Sequence, residues 1–331
     1  MDLSTNYMGI KLKNPLVASA SPLTASLNNI REMQDAGIGA AVLSSLFQEQ
    51  LTGEIYESHF YPSLSKERFP DSLSYFPRPS RFVFTPQEYL GYITSAKKAV
   101  KVPIIASLNV CSDDQDWINY TKQIQEAGAD GLELNIYSLA VDPKTTGQQV
   151  EDVHVGIVKK VKEEVSIPVA VKLSPYYSAM GNMAQKLENA GANALVLFNR
   201  FYQPDIDLQQ VKTNPNLLLS NPDSKRLPLT WISILRNHTK ISLAATSGVH
   251  DAADVLKMIM AGADVTMLCA VLLKQGVNHI QTILKDMRQW MTAQKHQTIA
   301  EFQSCLSQKF YEDPQTFERA SYIKALQYFT K

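Results

Sequence analysis

Lys172 is a charged residue within an apolar run, and this setting suggests a chemical role. It lies in PVAVKLSP, residues 168–175, where a lysine is rare unless its amine is paired. The amine could reach solvent at the rim of the fold and have only a packing role. It could instead form a Schiff base with a carbonyl substrate, or stay charged and stabilise negative charge on a bound cofactor.

Asn135 and Ser138 form a second candidate pair. Both lie in GLELNIYSLAVDP, residues 131–143, where an apolar run ends and a loop begins. Most loop serines only hydrogen-bond to nearby backbone. A serine that removes a proton from a substrate needs a neighbour to activate its hydroxyl, and the sequence offers no adjacent histidine or aspartate for this purpose.

An internal repeat predicts the elements that position these residues. The phrases DAGIGAAVLSS, EAGADGLELNI, NAGANALVLFN and MAGADVTMLCA begin at residues 35, 126, 189 and 260. Each is typical of a helix that ends at a glycine and is followed by a buried strand. Apolar runs such as KVPIIASLN alternate with them. Together they predict eight strands, near residues 16–20, 40–45, 103–108, 131–136, 168–173, 194–199, 241–246 and 265–270.

Helical patterns lie between the strands, and the alternation predicts an α/β fold. The pattern over 153–165 places Val153, Ile157, Val158 and Val161 at helical spacing. Eight buried strands that alternate with helices favour a closed (β/α)8 TIM barrel. A doubly wound sheet is the alternative, but no G-x-G-x-x-G follows the first strand. We expect one domain over residues 1–331, with a helical tail from about 298 to 331.

The residues at the strand ends predict the ligand, because a barrel binds ligands at the carboxyl ends of its strands. These ends carry neutral polar groups and few carboxylates, and Glu133 is expected to be alone below them. We therefore predict no metal site. A large, planar, polar ligand fits better, with its phosphate beside small residues after the last two strands. The ring consists of Ser19, Ala20, Ser44, Ser107, Asn135, Lys172, Asn199, Arg200, Ser247, Gly248, Cys269 and Ala270.

Three long segments, 46–85, 137–152 and 200–228, follow strands and should lie on the same face as the ring. The first is rich in proline and aromatic residues, and we expect it to form a lid or wall.

The composition excludes several classes of protein. The chain has 331 residues, 45% of them hydrophobic, and its 32 basic and 32 acidic residues balance to zero net charge. We therefore expect no nucleic-acid partner. Three cysteines without paired spacing suit a reducing compartment. We find no apolar leader and no membrane-length apolar window, so a soluble cytoplasmic protein is expected.

These strand ends resemble those of the dihydroorotate dehydrogenases, over residues 14–303. That family has N-x-S-C-P-N or N-x-S-S-P-N after its fourth strand, where this chain has Asn135-Ile-Tyr-Ser138-Leu-Ala140. The resemblance implies bound FMN, with Ser138 as the catalytic base and Lys172 at the flavin edge that becomes negative on reduction. It also implies that Asn135 and Asn199 contact substrate and that Ser247, Gly248, Cys269 and Ala270 hold the phosphate.

Several positions depart from the family pattern. Ser44 stands where the family commonly has a lysine, and Ala140 replaces the second loop asparagine. Arg200 replaces a serine beyond Asn199. It could hold a substrate carboxylate, as could Arg78 or Arg81 from the lid.

The leading hypothesis is an FMN-dependent dehydrogenase acting on a CH–CH group, which passes hydride from dihydroorotate or a related cyclic substrate to flavin in pyrimidine biosynthesis. One alternative is a phosphate-binding lyase or aldolase that uses Lys172 as a Schiff base. Another is a flavin-binding subunit without dihydroorotate activity. A homodimer and an electron-transfer partner protein are both compatible with the sequence.

Overall fold

The computed structural model describes residues 1–51, 83–201, 203–214, 217–308 and 314–328. Most of the predicted lid, with Arg78 and Arg81, lies outside the described residues. The strands are β1 (Thr5–Tyr7), β2 (Ile10–Leu12), β3 (Leu16–Ala18), β4 (Ala40–Val42), β5 (Leu46–Phe47), β6 (Ile104–Val110), β7 (Gly131–Ile136), β8 (Val169–Leu173), β9 (Ala194–Leu197), β10 (Asp205–Asp207), β11 (Lys212–Asn214), β12 (Ser242–Thr246) and β13 (Val265–Leu268).

Eight parallel strands form a closed barrel, and all eight correspond to the predicted ones. Neighbours around the barrel run β3, β4, β6, β7, β8, β9, β12 and β13, and β13 pairs with β3 to close it. Short β5 extends the β4 side by pairing with the end of β6. The predicted (β/α)8 TIM barrel is therefore confirmed.

The glycine of each repeat phrase has the conformation that its position requires. Gly37, Gly128, Gly191 and Gly262 follow helix ends with φ values of +102°, +98°, +99° and +124°. Residues other than glycine rarely adopt positive φ values. Each such turn delivers the chain into a buried strand, which explains why the repeat predicted the fold.

Helices lie between the strands of the barrel, as the alternating pattern predicted. They are α1 (Leu27–Asp35), α2 (Gln48–Leu51), α3 (Pro86–Ala99), α4 (Gln115–Glu126), α5 (Gly147–Glu164), α6 (Met180–Asn189), α7 (Arg226–Leu235), α8 (Ala252–Ala261), α9 (Ala270–Gln275), α10 (His279–Gln294) and α11 (Pro314–Tyr328).

Helix α5 begins six residues before the predicted Val153, at Gly147. Thr146 and Gln149 form a capping box that starts it there. The buried face differs from the predicted one, because Val153 is 38% exposed and His154 is 5% exposed. Both changes matter for the site below.

A hairpin of β1 and β2, which was not predicted, closes the N-terminal end of the barrel. Met8 N donates to Ser242 Oγ at 3.0 Å, and Thr5 Oγ1 donates to the carbonyl of Asp264 at 3.0 Å. Because both acceptors lie at the N-terminal ends of barrel strands, the hairpin packs beneath them. Its buried side chains, Tyr7, Met8 and Leu12, join the apolar core inside the barrel.

The C-terminal segment first packs on the barrel and then leaves it. Phe302 is buried, and Ser304 N and Leu306 N donate to carbonyls at the end of α8. Beyond it, α11 exposes Tyr322, Ile323, Leu326 and Tyr328.

Candidate active site

A cavity of about 200 Å³ opens at the carboxyl ends of β3, β8, β9, β12 and β13. An adjoining cavity of about 360 Å³ shares four of its residues. Together their volumes fall within the roughly 300–1,000 Å³ typical of small-molecule sites. The first cavity brings together nine of the predicted ring residues, namely Ser19, Ala20, Lys172, Asn199, Arg200, Ser247, Gly248, Cys269 and Ala270.

Lys172 lines this cavity from β8 and is paired below with Glu133 of the neighbouring strand β7. Nζ lies 3.5 Å from Glu133 Oε1, and the two side chains are 10% and 1% exposed. Neither Glu133 oxygen has a hydrogen bond within the described part of the chain. Glu133 therefore has a counter-ion in Lys172, a pairing that the sequence analysis did not predict. An ion-paired, protonated amine has no free lone pair, which weakens the Schiff-base reading of Lys172.

Two asparagine amides meet above β8. Asn199 Nδ2 donates to Asn135 Oδ1 at 2.8 Å, and in the ladder Asn135 lies opposite Lys172. Among the described residues, Asn199 Oδ1 and Asn135 Nδ2 have no partner, so an acceptor and a donor remain for a ligand.

Arg200 follows Asn199 and lies at the cavity edge. It is exposed, and Nη1 donates to the carbonyl of Leu218 at 3.0 Å. This bond ties the edge of the cavity to the segment after β11, while the rest of the guanidinium stays available to an anion.

Cys269 ends β13 inside the same cavity. Burial raises the pKa of its thiol, and the nearby Lys172 charge only partly opposes this. A thiol held protonated in this way is a packing group rather than a nucleophile.

The backbone forms a close-fitting turn at Ser247 and Gly248, after β12. Both residues have positive φ, at +78° and +75°. A Cβ on Gly248 would lie 2.2 Å from the backbone nitrogen of Lys225. Only glycine fits where these two chain segments approach each other beside the cavity.

Two predicted ring residues lie elsewhere. Ser107 is fully buried, and its Oγ is 2.8 Å from Ser45 Oγ. Ser44 is partly exposed and does not line the cavity described above.

Ser138 lines a second cavity, of about 510 Å³, between the loop after β7 and helix α5. Its Oγ lies 3.3 Å from His154 Nε2, and His154 Nδ1 lies 2.6 Å from the Tyr177 hydroxyl. Burial lowers the pKa of His154 to about 4, against the opposing charge of Glu151. The imidazole is therefore neutral at pH 7.

The expectation that no histidine accompanies Ser138 is thus corrected. His154 is sixteen residues away in sequence, and the two meet because α5 runs back past the loop. The available signal was helical spacing, since His154 precedes the buried Ile157, Val158 and Val161 by three, four and seven residues.

Comparison with known proteins shows where the chain belongs. The family model described as dihydroorotate dehydrogenase matches residues 85–291. A relative from Limosilactobacillus reuteri, named dihydroorotate dehydrogenase A (fumarate), is 30% identical over 300 residues, which cover 81% of this chain and 86% of the relative. A relative from Thermoplasma acidophilum, named dihydroorotate dehydrogenase B (NAD(+)), catalytic subunit, is 28% identical over 306 residues, or 90% of this chain and 96% of the relative.

The chain belongs to the dihydroorotate dehydrogenase family. The resemblance read from the strand ends is thereby confirmed.

The cavity suits the flavin that this family uses. It offers a cation in Lys172, the amide of Asn199, and a glycine turn at Gly248 where backbone can approach a phosphate. Asn135 does not line the cavity but accepts a hydrogen bond from Asn199 beside it. Within the described ranges no group of three or more potential metal ligands occurs, and none of the described helices has the length and apolarity to cross a membrane.

Proposed function

We propose that this chain is an FMN-dependent oxidoreductase of pyrimidine biosynthesis that converts dihydroorotate to orotate, acting on a CH–CH group. The observation that carries the proposal is the cavity at the strand ends, where a buried cation, Lys172, and the amide of Asn199 face the same space in a barrel of this family, with Asn135 bonded to Asn199 beside it. When bound, FMN supplies the acceptor for the hydride that leaves the substrate.

We propose that two groups of residues hold the cofactor. Lys172 faces the part of the flavin that becomes negative on reduction, because its charge is buried and little screened there. The phosphate lies against backbone after β12 and β13. The proposed cofactor contacts are Ser19, Ala20, Asn135, Lys172, Ser247, Gly248, Cys269 and Ala270. The other two predicted contacts, Ser44 and Ser107, are left out of the proposal because neither lines the cavity.

The substrate contacts follow from the free amide atoms. Asn199 Oδ1 and Asn135 Nδ2 offer one acceptor and one donor, which suits the alternating N–H and C=O groups of a dihydropyrimidine ring. Arg200 can hold the carboxylate with the part of its guanidinium that does not bond to Leu218. Ser138 is the proposed base that takes the ring-carbon proton.

The names of the relatives bear on the electron acceptor of this chain. The relatives' printed names include both fumarate and NAD(+) types. One relative is named a catalytic subunit, which supports an electron-transfer partner protein for this chain as well. A homodimer is the alternative assembly.

We also propose that residues 1–331 form one FMN-binding domain with its tail from about 298, acting in the cytoplasm on a small-molecule substrate. The bonds of residues 304 and 306 to α8 support the single domain. Three free cysteines support a reducing compartment.

One observation favours a second candidate, a flavin-binding subunit without dihydroorotate activity. Ser138 lines a cavity that shares no residue with the one containing Lys172. Anaerobic mixing of the yellow protein with dihydroorotate distinguishes the dehydrogenase from the binding subunit. Bleaching that is lost in Ser138→Ala supports the dehydrogenase, and a flavin that stays oxidised supports the binding subunit.

A further inference from the structure

Ser138, His154 and Tyr177 form a continuous hydrogen-bonded chain from three segments of the fold. Ser138 comes from the loop after β7, His154 from α5 and Tyr177 from the segment after β8. The contact distances are 3.3 Å for Ser138 Oγ to His154 Nε2 and 2.6 Å for His154 Nδ1 to Tyr177 Oη. A hydroxyl beside a base that a third group orients is the arrangement that activates serine in many enzymes.

The surroundings of His154 keep the imidazole uncharged, so that one of its two ring nitrogens carries a lone pair. Burial lowers its pKa to about 4, and its ring edge packs against the Tyr177 ring. The carboxylate whose charge opposes this shift, Glu151, is held 2.8 Å from Lys186 of α6, which offsets part of that charge. The other polar residues that line this cavity are Cys111, Asp142, Lys144, Thr145 and Gln149.

The direction of the hydrogen bonds decides the role of His154. If Tyr177 accepts from Nδ1–H, Nε2 presents a lone pair to the Ser138 hydroxyl. If Nε2 carries the proton instead, His154 donates to Ser138 and lowers its basicity. Only the first tautomer makes Ser138 a base.

We propose that His154 is a positioning residue that holds Ser138 as a hydrogen-bond donor and takes the hydroxyl proton when Ser138 removes a proton from the substrate. The inference rests on the proposed dihydroorotate oxidation.

The step balances with the acceptor already proposed. The C–H bond at one ring carbon breaks and its proton goes to Ser138 Oγ, while the Ser138 O–H proton moves to His154 Nε2. The electron pair of that C–H bond forms the ring double bond. Hydride from the neighbouring carbon leaves to the flavin, and the imidazolium later returns its proton through Ser138 to solvent.

The first test determines the tautomer of His154 without catalytic turnover. In the holoenzyme with ¹⁵N-labelled histidine, long-range ¹H–¹⁵N spectra report which ring nitrogen of His154 carries the proton. We expect the Nδ1–H form at pH 7, with an Nε2 shift that changes in Ser138→Ala. The Nε2–H form, or an Nε2 chemical shift that is the same in Ser138→Ala as in the wild type, would overturn the inference.

The second test measures the rate of flavin reduction by dihydroorotate in anaerobic stopped flow. His154→Gln should lower the rate about 100-fold, in the range of general-base contributions. Tyr177→Phe should lower it about fivefold, since one hydrogen bond is lost. His238→Gln, an exposed histidine, is the matched control and should leave it unchanged.

Replacing the base at position 138 distinguishes a role of His154 in proton transfer from a role in packing. A cysteine at position 138 forms its own thiolate more readily than serine. In the Ser138→Cys background, His154→Gln should therefore change the rate less than about threefold. A loss as large as in the Ser138 enzyme would show that His154 only supports the structure, and would overturn the proposal.

The two proposals fail in different ways. A holoenzyme that dihydroorotate cannot reduce would refute the dehydrogenase and the proton transfer with it. A holoenzyme that dihydroorotate reduces equally fast with and without His154 would refute the proton transfer alone. Thermal midpoints and FMN content of each variant identify a folding defect, and Tyr177→Phe then carries the kinetic test.

Discussion

Removal of the Lys172 amine should destabilise the barrel strongly, because it leaves a buried carboxylate without a counter-ion. Lys172→Met keeps the length and packing of the side chain but removes the charge 3.5 Å from Glu133 Oε1. Glu133 is fully buried, and neither of its oxygens receives a hydrogen bond in the described structure. Loss of one partner from such a pair typically costs about 3–5 kcal/mol.

The expected effect on melting follows from that cost. At about 2 °C per kcal/mol for a chain of this size, Lys172→Met should lower the thermal midpoint by about 6–10 °C. Circular dichroism should be recorded with and without saturating FMN, because bound ligand adds its own stabilisation. Adding Glu133→Gln should recover part of the loss, since the buried charge is then gone.

A solvent-exposed pair provides the control. Lys160 Nζ lies 2.6 Å from Asp113 Oδ2, closer than the buried pair, but the side chains are 41% and 45% exposed. Lys160→Met should therefore cost at most about 1 kcal/mol. If Lys172→Met melts within about 2 °C of the wild type, as this control should, then burial does not govern the pair and the reasoning is refuted.

Three further predictions concern the site. The pKa of His154 is lowered from 6.5 to about 4, so its neutral form stabilises the fold above pH 6.5 and that stability is lost as pH falls towards 4. At about 1.4 kcal/mol for each pH unit, urea unfolding should show a loss of about 3 kcal/mol across this window that His154→Gln lacks. Gly248→Ala would place a methyl group 2.2 Å from a backbone nitrogen and should abolish FMN retention on gel filtration. Gly276→Ala has a similar φ of +80° but no such contact, and should cost only about 1 kcal/mol. Asn199→Ala should raise KM for dihydroorotate roughly 5- to 100-fold, as expected when a partly buried amide that pairs with the substrate is lost, and an unchanged KM would exclude Asn199 from the substrate site.

The repeated phrases predicted the barrel because each one specifies its own local structure. Ala-Gly before an apolar run specifies a helix end, a positive-φ turn and a buried strand within eleven residues, and the glycines at 37, 128, 191 and 262 all adopt that turn. The carboxyl ends of parallel strands share one edge, so the sequence also predicted most of the cavity lining.

The sequence patterns did not predict contacts between segments that are distant along the chain. The β1–β2 hairpin has strands of three residues, too short to show alternation. The pairing of Glu133 with Lys172 depends on the register of β7 against β8, which no single strand encodes. His154 meets Ser138 because α5 runs back past the loop after β7. The sequence analysis placed Val153 on the buried face of this helix, and His154 is buried instead.

We propose above all that the cavity above Lys172 holds a flavin that dihydroorotate reduces. The most direct measurement is the visible spectrum of the purified protein before and after anaerobic addition of dihydroorotate. The account predicts a yellow protein that bleaches with formation of orotate, and whose bleaching slows at least about 100-fold in Ser138→Ala. A colourless protein that does not take up added FMN would contradict the flavin site, and a yellow protein that dihydroorotate leaves oxidised would contradict the proposed reaction.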